Sequence, residues 1–336
     1  EIGGIDLTGP KPGKSELNIK KAWQEKTESY LGRGLHSEKW NKTINNNGPL
    51  KDFIDEVRKD KDLILQIRGD YFNVYYKGGN LVKVNSENSF EFDSNYFKGN
   101  PELVDSEIKR KDSRKKLLSW LKSKRDYHSF IDKMKGLMNS YWIWLKQEKG
   151  RDLHEKDIQH TLCISNTEST DFTIIDLEFQ VSIQKECPYC YKKLSIPLGR
   201  FVDEKKLSPR FDIIAVRNKD HRLCVIELKS GINALYGKSG IGDHADSFEG
   251  SIGRNPQAFV KEMKGLVENK KKLHLLGADF HMSDDNPEFL YAYAYTSEDK
   301  TEKARERKAF ENEQENSKSN HFSVIYLNKG DFTLHN

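Results

Sequence analysis

The sequence has little of what marks a secreted, disulfide-stabilised or membrane-embedded protein. It contains four cysteines in 336 residues, which do not form a secreted disulfide pattern. No apolar stretch approaches the roughly 18–20 residues that a helix needs to cross a bilayer. The opening segment, residues 1–14, is polar and rich in Gly and Pro, unlike a signal peptide. These absences favour a cytoplasmic protein with no membrane partner.

The chain also lacks an excess of charge of either sign. It holds 56 basic and 52 acidic residues, for a net charge of +4, so overall charge identifies no partner. Residues 101–150 are an exception, with 13 Lys or Arg against 7 Asp or Glu. Such a stretch suits contact with phosphates, although a solvated helix face would look the same.

The length of the chain suits two domains, or one domain with a large appendage. The first half switches from helical periodicity to three short β runs with Gly-containing turns, which predicts an antiparallel meander. Its aromatic residues could stack bases, but a half-buried sheet is the favoured interpretation. We therefore expect a flexible lead, an N-terminal α+β domain with a β-meander, a basic connector of two helices, and a second domain, over residues 1–14, 15–112, 113–149 and 150–336. Residues 86–112 look irregular.

The sequence patterns of the second domain predict a mixed α/β class. Its patterns indicate, in order, a helix, three strands, a helix and a strand, over residues 152–163, 172–183, 210–217, 222–229, 255–271 and 287–297. Residues 298–320 look like an exposed helix or a mobile loop, and residues 321–327 suit a last strand.

The candidate catalytic residues lie in two apolar runs on either side of residues 218–221. They form a β-hairpin pattern, and a symmetric turn with Arg217 opposite Arg222 places Asp212 directly across from Glu227, with Cβ atoms about 5 Å apart. Lys229, two residues further on, points to the same face.

Facing carboxylates on buried strands repel each other and are costly to bury. A divalent cation compensates that cost, and Mg²⁺ commonly uses one or two carboxylates together with waters and substrate phosphate oxygens. Lys229 beside the ion could contact a phosphate or orient an attacking water. The set therefore suits metal-assisted phosphodiester hydrolysis. The alternative is an ordinary charge pair of Glu227 and Lys229 at a strand end.

Asp212, followed after fourteen residues by Glu227-Leu228-Lys229, resembles the PD-(D/E)XK nuclease superfamily. The Pro that usually precedes the Asp is absent, since Pro209 lies three residues earlier. The resemblance covers roughly residues 150–297 and implies a restriction-endonuclease-like core, with a mixed central sheet flanked by helices. It also implies Mg²⁺ as cofactor, with Mn²⁺ able to substitute.

Further site residues follow from the same resemblance. The family often adds an acid from the first core helix, for which Glu155 is the candidate, as a metal ligand and catalytic residue. Gln257 falls where some relatives of the RecB type carry an active-site Gln. Lys238, His244 and Arg254 are weaker candidates for contacts with substrate.

The Gly-rich stretch of residues 236–244 only superficially resembles a phosphate-binding loop, because the P-loop spacing and its helix are missing. It could instead be a flexible substrate gate. Cys187 and Cys190 form one half of a zinc motif with no second pair. Incidental thiols are favoured there over zinc or redox chemistry.

The expected function is therefore that of a metal-dependent endonuclease acting on DNA, in restriction or other antiviral defence. RNA remains an alternative substrate that the sequence does not separate from DNA. A homodimer or a partner from a defence system is compatible with this function. The competing hypothesis from another class is a catalytically silent nuclease-like fold that binds nucleic acid or protein.

Overall fold

The computed structural model describes residues 48–69, 71–86, 89–150, 154–181, 209–317 and 319–335. The expected flexible lead, most of the helical pattern before residue 51, and the Cys187–Cys190 pair lie outside these residues. The expected mixed α/β class is confirmed, because helices accompany two separate sheets. None of the described helices is both long enough and apolar enough to cross a membrane.

The first sheet is the predicted antiparallel meander. Helix α1 precedes it, and its strands lie in the order β1-β2-β3-β4. Lys77 and Gly78 both have positive φ angles, 43° and 74°, at the turn between β2 and β3, which is the backbone that a tight hairpin needs. The bounds are α1 Lys51–Lys59, β1 Leu63–Ile67, β2 Phe72–Tyr76, β3 Gly79–Ser86 and β4 Ser89–Glu91.

The expectation that residues 86–112 are irregular was wrong. They contain β4, a 3-10 helix at Ser94–Gly99 and the start of helix α2, Glu107–Lys124. Ser106 caps α2 by accepting a hydrogen bond from the backbone of Lys109. Strand β4 has only three residues, which is too short for a periodic pattern to reveal.

The predicted pair of helices after this segment is confirmed. Helix α2 ends at Arg125, which has a left-handed backbone, and Asp126 caps the next helix, α3, Tyr127–Lys149. The apolar side of α3 packs on the first sheet, where Trp142 stacks on Tyr76 with ring centroids 6.0 Å apart. The aromatic cluster of α3 therefore contributes to the core.

The second sheet is mixed, as the sequence predicts. Strands β5, β6 and β7 are antiparallel, whereas β7, β8 and β9 run parallel. Most positions of β7 are buried, so both faces of the strand are covered. The bounds are β5 Phe172–Gln180, β6 Arg210–Arg217, β7 Arg222–Ser230, β8 Glu288–Ala294 and β9 Ser323–Leu327.

The helices of this half follow the predicted order, with two additions. Helix α4 precedes the sheet, and α6 begins at Pro256 behind an Asn255 cap, as expected. Helix α5 was not predicted, whereas α7 is the exposed helix that was one of the two alternatives expected for residues 298–320. The bounds are α4 His154–Ser165, α5 Ile241–Gly250, α6 Pro256–Lys272 and α7 Lys300–Asn316.

Candidate active site on the second sheet

The hairpin β6–β7 has the predicted register. Its paired positions run from Arg217 opposite Arg222 to Ile213 opposite Ile226. Asp212 and Glu227 are the next residue on each strand beyond this last pair. The backbone N–H of Leu228 donates to Asp212 Oδ2 at 3.0 Å, which holds that carboxylate against β7. The two acids therefore lie on facing strands, where a symmetric turn puts them.

Glu227 is 2% exposed and lies at the centre of a small polar network. Its Oε1 accepts hydrogen bonds from Lys229 Nζ and His244 Nε2, each at 3.0 Å. Its Oε2 is buried and has no hydrogen-bond partner among the residues that the structure describes. Burial alone would raise the pKa of Glu227, but the bonds from His244 and Lys229 outweigh burial and lower it. The group therefore stays ionised and keeps one oxygen available.

Asp212 behaves in the opposite way. Burial raises its pKa well above the ordinary range, and the negative charge of Glu227 adds to that effect. The positive charge of Lys229 and the bond from the Leu228 N–H act against this rise but do not cancel it. Without a cation, burial and the charge of Glu227 therefore disfavour ionisation of Asp212.

Helix α4 brings a third acid close to the pair. Gln159 Nε2 donates to the backbone oxygen of Asp212 at 2.7 Å and so ties this helix to β6. Glu155 lies one turn earlier on α4, is exposed, and contributes weakly to the raised pKa of Asp212. Glu155 is therefore near Asp212, as expected. However, no three His, Cys, Asp or Glu side chains within the described ranges are grouped closely enough to hold a metal ion.

Gln257 is not brought to the carboxylates. Its amide is exposed and donates to Asp284 O and Asn286 Oδ1, both at 2.9 Å, in the segment before β8. Strands β7 and β8 are parallel and start at the same edge, whereas Glu227 lies toward the far end of β7. The hydrogen bonds of Gln257 therefore stabilise a loop at the other end of the sheet.

The weaker candidates for substrate contact have different outcomes. Lys238 and Arg254 lie in short 3-10 helices, Gly237–Ser239 and Ile252–Arg254, and their side chains are outside the described part of the chain. His244 reaches the site but contacts Glu227, a role that sequence reasoning missed. It is carried by α5, which Tyr291 anchors by donating its hydroxyl to Ile241 O at 2.8 Å. The helical pattern that begins at Ile241 could have revealed helix α5 and the position of His244. The glycines before Ile241 make that pattern hard to recognise.

Comparison with known proteins adds no relative to this description. No family model matches the chain, no curated protein matches it, and no solved structure matches its fold. The function therefore has to be argued from the geometry of the site.

Proposed function

We propose that this protein is a metal-dependent nuclease that hydrolyses phosphodiester bonds, with DNA as substrate and internal positions as the points of cleavage. The observation that carries the proposal is the set on the paired strands β6 and β7: Asp212 and Glu227, each next to the last residue pair, with the Lys229 ammonium 3.0 Å from Glu227 Oε1. A partly buried acid beside a buried acid and a buried lysine has little structural use, because these charges cost free energy to bury.

The residues present fit a hard divalent cation. Glu227 offers a buried oxygen, Oε2, that accepts no hydrogen bond from the described residues, and Asp212 has a carboxyl group that resists ionisation beside Glu227. A positive ion relieves both conditions at once. Asp212 and Glu227 would therefore hold Mg²⁺, or Mn²⁺ in its place. Two protein carboxylates, completed by waters and phosphate oxygens, are a common Mg²⁺ arrangement.

When bound, the ion polarises the phosphodiester group and lowers the pKa of coordinated water. The protein's own residues supply the rest of the chemistry. Lys229 presents its ammonium on the same face, where it can stabilise charge on a phosphate oxygen or orient the attacking water. His244 holds Glu227 in place through Oε1 and leaves Oε2 for the ion. Glu155, exposed on α4 near Asp212, is the candidate third acid and would contribute a further carboxylate oxygen to the ion.

The architecture of residues 154–294 supports a restriction-endonuclease-like core. A helix, three antiparallel strands, helices and a strand parallel to the third follow one another in this range. The acids lie on the second and third of these strands, as the resemblance of Asp212 and Glu227-Leu228-Lys229 to the PD-(D/E)XK superfamily implies.

Helix α2 supports a nucleic-acid partner, because one exposed element concentrates basic side chains. Its exposed lysines are Lys109, Lys111, Lys115, Lys116, Lys122 and Lys124. A role in cytoplasmic restriction or antiviral defence, alone, as a homodimer or with a partner of the same system, is the biological context that we propose for this activity.

The decisive experiment is a cleavage assay on supercoiled plasmid and on single-stranded RNA, with Mg²⁺ or Mn²⁺ and with EDTA. We expect metal-dependent nicking or linearisation of plasmid by the wild type. Asp212→Asn and Lys229→Ala should each reduce the rate by roughly 10²-fold or more, since removing one transition-state contact costs about 2.7–4 kcal/mol.

Lys219→Ala is the matched control, because Lys219 is an exposed lysine in the turn of the same hairpin and should leave the rate unchanged. Equal cleavage by the wild type and both site variants would identify a contaminant and reject the proposal. Binding of nucleic acid without cleavage under any of these conditions would favour the silent binding module instead.

A further inference from the structure

A second candidate site lies between the two sheets. A cleft of about 540 Å³ is bounded on one side by α1 and β1, and on the other by α4, β5 and α6. Much of its wall is apolar, with contributions from Val57, Leu63, Leu65, Ile164, Ile174, Leu275 and Leu276. The Asp212–Glu227 pair does not line this cleft, so its chemistry is separate from the proposed hydrolysis.

One lysine in the lining of the cleft, Lys270, is buried. Lys270 is 5% exposed, and its Nζ donates to Gln66 Oε1 at 3.0 Å. Within the described ranges no carboxylate oxygen lies within 4.0 Å of this ammonium, so its one close acceptor is a neutral amide. Burial lowers the pKa of Lys270 despite the negative charge of Asp176 nearby. A buried ammonium in this setting costs free energy that a bound anion would recover.

The surrounding charges do not supply that anion. The carboxylate of Asp176 already forms a buried ion pair with Arg68, so two buried cations share one buried acid. Asp60, which lines the cleft, pairs with Lys135 at 2.8 Å. The other acid of the lining, Glu168, accepts a hydrogen bond from the Gly277 N–H at 2.7 Å. The lining therefore has a small local excess of positive charge, to which the exposed Lys61 contributes, whereas Arg58 is paired with Asp55 at 3.3 Å.

We propose that this cleft binds a small organic phosphate of the mononucleotide class. Its phosphate pairs with Lys270, and its flat base lies against the apolar wall that includes Ile164 and Leu275. Helix α4 lines the cleft through Cys163 and Ile164, and the same helix is tied to Asp212 through Gln159. The bound molecule therefore touches an element that also supports the candidate active site.

The test uses adenosine monophosphate, adenosine and inorganic phosphate as probes in isothermal titration calorimetry. The full-length protein carries Asp212→Asn and the buffer contains EDTA, so that binding at the candidate metal site does not contribute. We expect saturable binding of adenosine monophosphate, with adenosine and phosphate each weaker by roughly tenfold or more, since each lacks one half of the contacts.

Lys270→Met should weaken adenosine monophosphate binding by roughly tenfold or more, whereas Lys272→Met, an exposed lysine on the same helix, should leave it unchanged. Ile164→Asp is the second variant, because it adds a repelling charge at a partly exposed wall position without emptying the core. Absence of any heat with the three probes at millimolar concentration would overturn the proposal. Wild-type affinity in both Lys270→Met and Ile164→Asp would overturn it as well. Neither result depends on whether the protein cleaves nucleic acid.

Discussion

At the scale of single residues, the two facing acids divide their roles by environment rather than by type. Glu227 is stabilised as an anion because Lys229 and His244 both donate to its Oε1. Asp212 receives one backbone N–H and faces the negative charge of Glu227 while partly buried. Ionisation of Asp212 is therefore disfavoured in the metal-free pair, and a divalent ion bound at this position favours it.

The raised pKa of Asp212 predicts how its removal changes stability with pH. A carboxyl whose pKa is raised in the folded state destabilises the fold as pH rises above the unfolded value of about 4. Asp212→Asn lacks this destabilising carboxyl group. The unfolding free energy of the variant should therefore exceed that of the wild type by an amount that increases from pH 4 toward neutral pH. We expect this gain to be absent near pH 4 and largest near neutral pH, measured by urea unfolding in EDTA.

Two controls separate this effect from a general loss of charge. Asp220 lies in the turn of the same hairpin, and Arg217 lowers its pKa through a side-chain hydrogen bond, so Asp220→Asn should show a dependence of opposite sign. Adding Mg²⁺ should stabilise the wild type and leave Asp212→Asn unchanged. If Asp212→Asn instead loses stability relative to the wild type as pH rises in EDTA, the proposed state of the pair is wrong.

At the scale of elements, local pattern predicts a segment well when the pattern is long and its neighbours are adjacent in the chain. The hairpin of β6 and β7 satisfies both conditions, so its register, which ends at Ile213 opposite Ile226 beside the two acids, follows from turn length and alternation. Helix α5 does not satisfy the first condition, because Gly237, Gly240 and Gly242 weaken the helical pattern around its start. Helix α7 is rich in charge, and its buried Glu306 receives bonds from Tyr293 and Thr296, partners that no local pattern reveals.

Helix α5 brings His244 to Glu227, so we expect His244 to act as a residue that positions this carboxylate for metal binding. His244→Ala removes one of two donors to Glu227 Oε1, so the carboxylate is held less firmly and metal affinity should fall by roughly 10–100-fold. The metal concentration that gives half-maximal cleavage should rise accordingly, while the rate at saturating metal falls less. His244→Gln, which retains a donor, should recover part of the affinity.

His281 offers the matched control, because it is an exposed histidine on the loop before β8 and faces His221 rather than the acids. His281→Ala should leave the metal dependence unchanged. An unaltered metal dependence in His244→Ala would show that the hydrogen bond to Glu227 is structural only.

At the scale of the whole molecule, the two sheets are joined by polar contacts between residues far apart in sequence. Arg68, directly after β1, pairs with Asp176 of β5 and also donates to Leu177 O at 2.6 Å, while His160 contacts Asp62 O at 3.0 Å. The buried apolar cluster likewise takes side chains from both sheets. Periodicity locates most of the longer elements but carries no information on such contacts, because Arg68 and Asp176 are separated by 108 positions.

The Arg68–Asp176 pair predicts how firmly the two sheets are joined. Both side chains are almost fully buried, at 4% and 0% exposure, so removing one partner leaves an uncompensated charge in the interior. Asp176→Asn should lower the unfolding free energy by roughly 3–5 kcal/mol, and more severely than usual because Lys270 adds a second buried cation nearby.

The double variant Arg68→Met, Asp176→Leu distinguishes a charge effect from a packing effect. It removes both charges together, so it should be more stable than Asp176→Asn alone, as measured by urea unfolding of all variants at one pH. Asp55→Asn, which breaks an exposed pair with Lys51, should cost less than about 1 kcal/mol by comparison. If the double variant proves the less stable of the two, the pair joins the sheets by its shape and hydrogen bonds rather than by its charge balance.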